Sequence, residues 1–124
     1  MTASVLLVDD DAQIVRAIVP ALQVSGLAVT VASNGAEALR FVDGGSWDAL
    51  IVDLGLPDMD GKAIIRHSSG KSDTPIIVIS AQHSASEVEA AHQAGACCFM
   101  HKPFGTPELV RRVEASIAGS KRAG

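Results

Sequence analysis

The chain opens with Ser4-Val-Leu-Leu-Val8-Asp9-Asp10, an apolar run that ends abruptly in two carboxylates. The hydrophobic residues are continuous and do not alternate with polar ones, which indicates a strand buried on both faces, as in a parallel sheet covered by helices. Polar residues directly after such a strand lie at the carboxyl edge of the sheet, where open α/β folds place their binding crevices. This stretch therefore predicts a fold class and the location of a site.

Four further apolar, β-branched runs recur along the chain, at Ala28–Ala32, Ala49–Val52, Pro75–Ile79 and Cys97–Met100. Segments with helical periodicity separate them, and the connections are short. Alternation of this kind predicts a doubly wound α/β domain with a parallel sheet, right-handed crossovers and helices on both faces.

Helix-start signals precede four of the five helical segments: Asp11, Asn34 with Glu37, Ser84 with Glu87, and Thr106-Pro107-Glu108. Gly26 is placed to end the first helix, and the third helix is predicted around Gly61–Arg66. The fourth helix, roughly Ser84–Ala94, offers only Val88 and several alanines for burial. Because little apolar area is available to it, we expect this helix to be held less firmly than the others.

Composition and charge restrict the classes of function. The 124 residues are 48% hydrophobic, which suits one domain with a real core. Ten Lys and Arg stand against 14 Asp and Glu, and the net charge of −4 disfavours direct binding of nucleic acid. No apolar run approaches the roughly 18 residues of a membrane span, and the N-terminus does not resemble a signal peptide, so we expect no membrane association.

Two further expectations concern the location and the extent of the domain. Cys97 and Cys98 are adjacent and cannot join distant segments, which favours a reducing compartment and a cytoplasmic protein. We interpret both as small apolar strand residues. The domain is predicted over residues 1–118, with residues 119–124 as a tail or the start of a linker.

Polar side chains stand at the carboxyl ends of the predicted strands: Asp9 and Asp10, then Asp53, Ser80 and Lys102. We expect them to meet in one crevice. Because three carboxylates repel one another, a hard divalent cation such as Mg²⁺ is expected between them. The set suits phosphoryl transfer, with the Asp53 carboxylate as nucleophile, the cation and Lys102 neutralising charge, and the Ser80 hydroxyl donating to a phosphoryl oxygen.

Four motifs resemble those of the receiver domains of bacterial two-component response regulators: Val8-Asp-Asp10, Val52-Asp-Leu-Gly-Leu-Pro-Asp-Met-Asp-Gly61, Ile79-Ser-Ala81 and Lys102-Pro-Phe104. They occur in the order and at the spacings of that family, across nearly the whole chain. The resemblance implies a flavodoxin-like sheet with strand order 2-1-3-4-5. It also implies a phosphoacceptor switch and not an enzyme with an external substrate.

The resemblance further implies individual roles. Asp53 would accept a phosphoryl group from a sensor histidine kinase or a phosphotransfer protein. The ligands of Mg²⁺ would be Asp9, Asp10, Asp53 and the carbonyl group of Gly55. Lys102 would be the essential ammonium group, joined to Pro103 by a cis peptide bond, while Ser80 and Phe99 would be the switch residues. Phosphorylation would then change the face formed by helix 4, strand 5 and helix 5, which controls an output domain or binds a partner.

The motifs are most similar to those of the winged-helix transcription-factor branch, whose members dimerise through that same face. Cys97 and Cys98 stand where the branch usually carries an acidic pair, and Val88 stands at a usual basic position. Arg112 matches a basic position of the fifth helix. A homodimer through helix 4, strand 5 and helix 5 would therefore lack two of its usual charged partners.

Other interpretations remain open at this point. One alternative is a stand-alone receiver that acts through protein contacts alone. Another is a phosphatase that forms an aspartyl phosphate. Such phosphatases commonly need a second acid two residues after the nucleophile, where Gly55 stands. A flavodoxin-like or cobalamin-binding module is disfavoured because strand one runs into Asp9 and Asp10 and not into a glycine-rich phosphate loop. Asp11 is interpreted as a helix cap, and Asp58 and Asp60 as turn residues.

Overall fold

The computed structural model describes residues 2–81 and 84–123, in which strands and helices alternate along the chain. The strands are β1 (Ser4–Val8), β2 (Ala28–Ala32), β3 (Ala49–Asp53), β4 (Ile76–Ser80) and β5 (Cys98–His101). The helices are α1 (Ala12–Val24), α2 (Gly35–Gly44), α3 (Gly61–Ser69), α4 (Ala85–Ala94) and α5 (Thr106–Ala123). None of the helices in these ranges is both long enough and apolar enough to cross a lipid bilayer.

The strands form one parallel sheet in the order β2-β1-β3-β4-β5, which confirms the predicted topology. Val8 of β1 pairs with Val52 of β3, and Asp53 pairs with Ile79 of β4. The carboxyl ends of the central strands therefore lie side by side. Because the strand order reverses direction at β1 and β3, a crevice is expected above their ends.

Two layers of apolar side chains cover the sheet, since successive residues of a strand point to opposite faces. Leu6, Val8 and Leu50 pack in the layer beneath α2, α3 and α4. Val5 and Ile51 belong to the other layer, together with apolar residues of α1 and α5. Burial on both faces explains why these strands are continuously hydrophobic in sequence.

The helix caps predicted at Asp11, Asn34 and Ser84 are present, whereas Thr106, also predicted as a cap, is itself the first residue of α5. The Asp11 side chain accepts a hydrogen bond from the Gln13 amide, and the Asn34 side chain accepts one from the Glu37 amide at 2.8 Å. The Ser84 hydroxyl likewise accepts from the Glu87 amide at 3.3 Å. At the end of α1 the backbone of Gly26 has φ +91°, a left-handed conformation that glycine adopts without a steric penalty.

Several boundaries differ from the sequence-based expectations. β3 includes Asp53, while β4 and β5 each begin and end one residue later than predicted, which is the usual uncertainty of strand ends. α3 continues to Ser69, since Ile65 and Ser68 are buried beyond its first turns. α5 runs through residues 119–123, so that this part of the expected tail is helical. The domain boundary at residue 118 stays a prediction.

The cysteine prediction was right for one residue and wrong for the other. Cys98 lies in β5, is half-buried and packs against the layer beneath α1 and α5. Cys97 precedes the strand and is exposed. It follows the turn at Gly95 and Ala96 that leads from α4 into the sheet, and its thiol lies 3.8 Å from the Ser116 hydroxyl of α5.

Candidate functional site

Side chains from the ends of four strands meet above the centre of the sheet. Asp9 follows β1, Asp53 and Ser80 are the last residues of β3 and β4, and Lys102 follows β5. Asp9, Asp53 and Ser80 are only 1%, 5% and 3% exposed. Asp10 is exposed and lies at the rim. The convergence expected from the strand ends is therefore observed for all five residues.

Lys102 bridges the two buried carboxylates. Its Nζ atom lies 3.2 Å from Asp9 Oδ2 and 3.3 Å from Asp53 Oδ2. Its backbone N–H donates to the Ser80 carbonyl oxygen at 2.7 Å, and the Lys102–Pro103 peptide bond is cis, as the resemblance implied. One ammonium group thus compensates part of the negative charge of two acids.

Backbone amides fix the remaining oxygen of each buried acid. Asp9 Oδ1 accepts a hydrogen bond from the Asp11 N–H at 2.9 Å, and Asp53 Oδ1 accepts one from the Gly55 N–H at 3.0 Å. The two carboxylates are therefore held in defined orientations before any ligand binds, which is the preorganisation that transfer chemistry requires.

The electrostatics of the cluster show an excess of negative charge. Burial raises the pKa of the Asp9 carboxyl group to about 6, and the nearby Asp53 carboxylate adds to this rise. The hydrogen bond from Asp11 and the ammonium group of Lys102 act in the opposite direction. Burial would lower the pKa of Lys102, but the Asp53 and Asp9 carboxylates outweigh it and raise that pKa. One lysine therefore does not offset the burial of Asp9 together with its repulsion by Asp53.

The donor set fits a divalent cation. Asp9, Asp10 and Asp53 each offer one carboxylate oxygen, and these oxygens lie within 4.8 Å of one another. Mg²⁺ would be held by these carboxylate oxygens and would keep several of its water ligands. An all-oxygen set is the kind that Mg²⁺ prefers, and a cation would oppose both causes that raise the pKa of Asp9, its burial and the nearby Asp53 carboxylate.

A cavity of about 660 Å³ opens above Asp53. Its walls include Ser80, Ala81 and Lys102 on one side and the loop between β3 and α3, with Gly55, on the other. The cavity gives a small anionic group access to the Asp53 carboxylate. Gly55 lies at its wall, while the use of its carbonyl group as a metal ligand stays a prediction.

Sequence reasoning missed one contact that supports this loop. Asp58 was interpreted as a turn residue, yet its two carboxylate oxygens accept hydrogen bonds from the Gly35 and Ala36 amides at 2.7 and 3.0 Å. These bonds lower the pKa of Asp58, the Gly35 bond contributing most. The loop that carries Gly55 is thereby tied to the first turn of α2. No local pattern indicates a bond between residues 22 or 23 positions apart in sequence.

Phe99, the expected switch aromatic, lies beside the groove between β5 and α5. Phe99 is half-buried and packs against the apolar layer beneath α4. It lines a groove of about 290 Å³ together with Glu108 and Arg112 of α5. Arg112 is engaged within its own chain, 3.2 Å from Cys98 Sγ and 3.5 Å from Glu108 Oε1.

Comparison with known proteins extends these observations. The chain is 42% identical over 113 residues to the transcriptional regulatory protein KdpE of Mycobacterium tuberculosis, covering 91% of this chain and 50% of that protein. It is 35% identical over 122 residues to the response regulator MprA of the same organism, covering 98% and 53%. The chain thus spans about half the length of the curated relatives it matches.

Solved structures of response regulators are also similar to this chain. A CheY-like response regulator receiver domain protein from Methanospirillum hungatei superposes with a TM-score of 0.95 over 100% of both chains, at 22% identity, which bears on the fold alone. DrrB, described as a Thermotoga maritima OmpR/PhoB homolog, gives 0.89 at 26% identity and covers 97% of this chain and 54% of its own. Residues 5–114 match the family described as response regulator receiver domain. The chain therefore belongs to the response regulator receiver domain family.

Proposed function

We propose that Asp53 is the phosphoacceptor of this receiver domain and that Asp9, Asp10 and the carbonyl group of Gly55 join it in holding Mg²⁺. The observation that carries the proposal is the buried position of Asp53 between an ammonium group and two further acids. Lys102 Nζ is 3.3 Å from its Oδ2 atom, and the oxygens of Asp9 and Asp10 lie within 4.8 Å.

The chemistry follows from these positions. An oxygen of Asp53 forms a bond to the phosphorus atom of the donor, while the bond between phosphorus and the donor's histidine nitrogen breaks and that nitrogen recovers a proton. Bound Mg²⁺ supplies positive charge beside the transferring group. Lys102 exchanges a carboxylate oxygen for a phosphoryl oxygen, and the Ser80 hydroxyl donates to another.

The proposed consequence is a change of surface. Ser80 moves toward the phosphoryl group, Phe99 occupies the space that becomes available, and the face formed by α4, β5 and α5 changes. This face then contacts an output domain, a partner protein or a second copy of the chain. Because Arg112 is bonded within its own chain, a homodimer through this face would need Arg112 to exchange those bonds.

The same proposal predicts the partners of the protein and its location in the cell. The phosphoryl donor is a sensor histidine kinase or a phosphotransfer protein in the cytoplasm. Because the transcriptional regulatory proteins KdpE and PrrA are relatives of about twice this length, the output proposed is transcription regulation by a further domain. The net charge of −4 disfavours direct binding of nucleic acid by this domain itself. Gly55 provides no general acid beside Asp53, so the proposed catalysis is limited to the domain's own phosphorylation and dephosphorylation.

Acetyl phosphate labelling tests the assignment. With Mg²⁺ present, the protein should gain the mass of one phosphoryl group, and peptide mapping should place it on Asp53. Asp53→Asn should abolish the gain, and chelation of the metal should prevent it. Asp11→Asn is the matched control, since it removes a neighbouring acid but preserves a cap of α1, and it should label like the wild type. Labelling that persists in Asp53→Asn would disprove the assignment.

A further inference from the structure

The cavity above Asp53 contains a second cation that the transfer chemistry does not use. Lys62 lies in the first turn of α3, and its side chain lines this cavity together with Asp53 and Lys102. Only 18% of that side chain is exposed, so its charge is partly shielded from solvent. The motifs that indicated the acidic cluster do not include it.

Two carboxylates hold the ammonium group of Lys62. Its Nζ atom lies 3.1 Å from Asp60 Oδ2 and 3.3 Å from Glu87 Oε2. These hydrogen bonds raise the pKa of Lys62, the bond to Asp60 contributing most. Asp60 caps the helix that carries Lys62, whereas Glu87 lies in the first turn of α4. The Lys62–Glu87 pair therefore ties α4 to α3 at the wall of the cavity.

Among the residues that the structure describes, the first turn of α4 has few other contacts that could hold it. The buried residues of this helix are Ala91 and Ala94, in its second half. Ala85 and Ser86, at its start, are exposed. Helices with little buried apolar area open at a low free-energy cost, so one partly buried ion pair at this end has a large share in holding it.

A phosphoryl group on Asp53 would change the balance of charge around Lys62. It replaces one negative charge by about two, which exceeds the single charge of Glu87. Lys62 and Asp53 share the walls of one partly enclosed cavity, where charges interact more strongly than in bulk water. The attraction of the ammonium group toward the cavity therefore rises, while its attraction to Glu87 is unchanged.

We propose that Lys62 senses the phosphoryl group: its ammonium holds Glu87 in the unphosphorylated protein, and a phosphoryl group on Asp53 competes with Glu87 for it and so releases the first turn of α4. This inference rests on the proposed function, since it needs a phosphoryl group at Asp53. It assigns to Lys62 the role of a positioning residue that connects the chemistry at Asp53 with α4.

Binding of beryllofluoride with Mg²⁺, a phosphoryl analogue, tests the competition when followed by the amide resonances of the protein. Glu87→Gln should tighten binding about fivefold, the lower end of couplings between two sites, because Lys62 no longer has to leave a carboxylate. In a Lys62→Met background the same Glu87→Gln substitution should give no gain. The effects of the two substitutions are then non-additive, which identifies an interaction between the two residues.

A matched control separates this competition from a simple loss of negative charge. Glu89→Gln removes the same charge from the same helix, but Glu89 bonds to Gln93 and not to Lys62. It should tighten binding by much less than Glu87→Gln. Equal gains from the two substitutions, or a gain from Glu87→Gln that survives in the Lys62→Met background, would overturn the proposal.

Hydrogen exchange of the ligand-free protein tests whether the Lys62–Glu87 ion pair holds the first turn of α4, without metal or phosphoryl analogue. Both Lys62→Met and Glu87→Gln should speed the exchange of the Val88 amide, which bonds to the Ser84 carbonyl in the first turn of α4. Unchanged exchange would overturn the inference while leaving the phosphoacceptor assignment intact. A wild-type protein that does not bind beryllofluoride with Mg²⁺ would instead remove the proposed function and this inference together.

Discussion

Helices α3 and α4 are neighbours on the same face of the sheet, yet they are attached to it in different ways. α3 buries Ile64, Ile65 and Ser68 and is bonded to α2 through His67. α4 buries only Ala91 and Ala94. Both begin at the carboxyl edge, beside the cavity above Asp53. The site therefore lies between a firmly packed helix and a weakly packed one, so that one wall of the cavity can move while the other stays in place.

The largest effect is expected from truncating the side chains that anchor each helix. Ile64→Ala should lower the free energy of unfolding by about 2–5 kcal/mol, because it leaves a cavity in a fully buried site. Val88→Ala on α4 should cost only about 1 kcal/mol, since Val88 is half-buried. Urea denaturation of both variants measures the difference, and equal losses would remove the contrast between the two helices.

A smaller loss is expected at the seam between the two helices. Gly95 ends α4 with φ +128°, and a Cβ atom there would overlap the Ser69 side chain at the end of α3. Gly95→Ala should therefore lower the free energy of unfolding by about 1–3 kcal/mol, from backbone strain and overpacking together. Repeating the substitution in a Ser69→Ala background should recover part of the loss, as thermal unfolding will show. No recovery would mean that overlap with the Ser69 hydroxyl does not contribute to the loss.

Removal of a helix cap should test the same difference between firmly and weakly packed helices, with a loss of about 1 kcal/mol in the free energy of unfolding. α2 buries Val42 and Ala38, so Asn34→Ala should lower the global free energy of unfolding by that amount. Ser84→Ala removes the cap of the weakly held α4. It should appear mainly as an exchange about fivefold faster in the amides of α4, with a smaller global change. A purely global effect of Ser84→Ala would mean that α4 does not open independently.

The smallest effect is expected at the surface bonds between α2 and α3. Hydrogen bonds from Lys71, and next from His67, lower the pKa of Asp43 below its ordinary value. A carboxyl group whose pKa is lower in the folded state stabilises the protein above its unfolded pKa, and the contribution is lost as the pH falls through the folded pKa. Asp43→Asn should therefore be less stable than the wild type at neutral pH, and the two should converge below about pH 4. Denaturation across this range checks it, and a pH-independent difference would contradict it.

Much of the site could be predicted because the rules that connect it to sequence are local. A buried parallel strand is recognised by its continuous apolar run, and the residue that follows it lies at the carboxyl edge. Asp9, Asp53 and Lys102 were found in this way. Asp11 and Ser84 were found from capping patterns, which involve amides two or three residues away.

The contacts that escaped prediction join residues far apart in sequence. Asp58 bonds to amides of α2, and Lys62 bonds to Glu87 of α4, 25 residues away. Each of these side chains is an ordinary polar residue in its own segment. Their partners depend on how the helices lie across the sheet, which no spacing in the sequence encodes.

The parallel sheet, the helix starts, the place of the acidic cluster and the family resemblance can all be inferred from the amino-acid sequence, because they follow from burial patterns and from the order of residues along single elements. The folded chain was needed to show that Lys102 bridges Asp9 and Asp53, that Cys97 is exposed beside a half-buried Cys98, and that Lys62 reaches across to α4. Those facts are distances between side chains of different elements. Such distances are set by packing, where the shape and burial of every neighbour contribute at once.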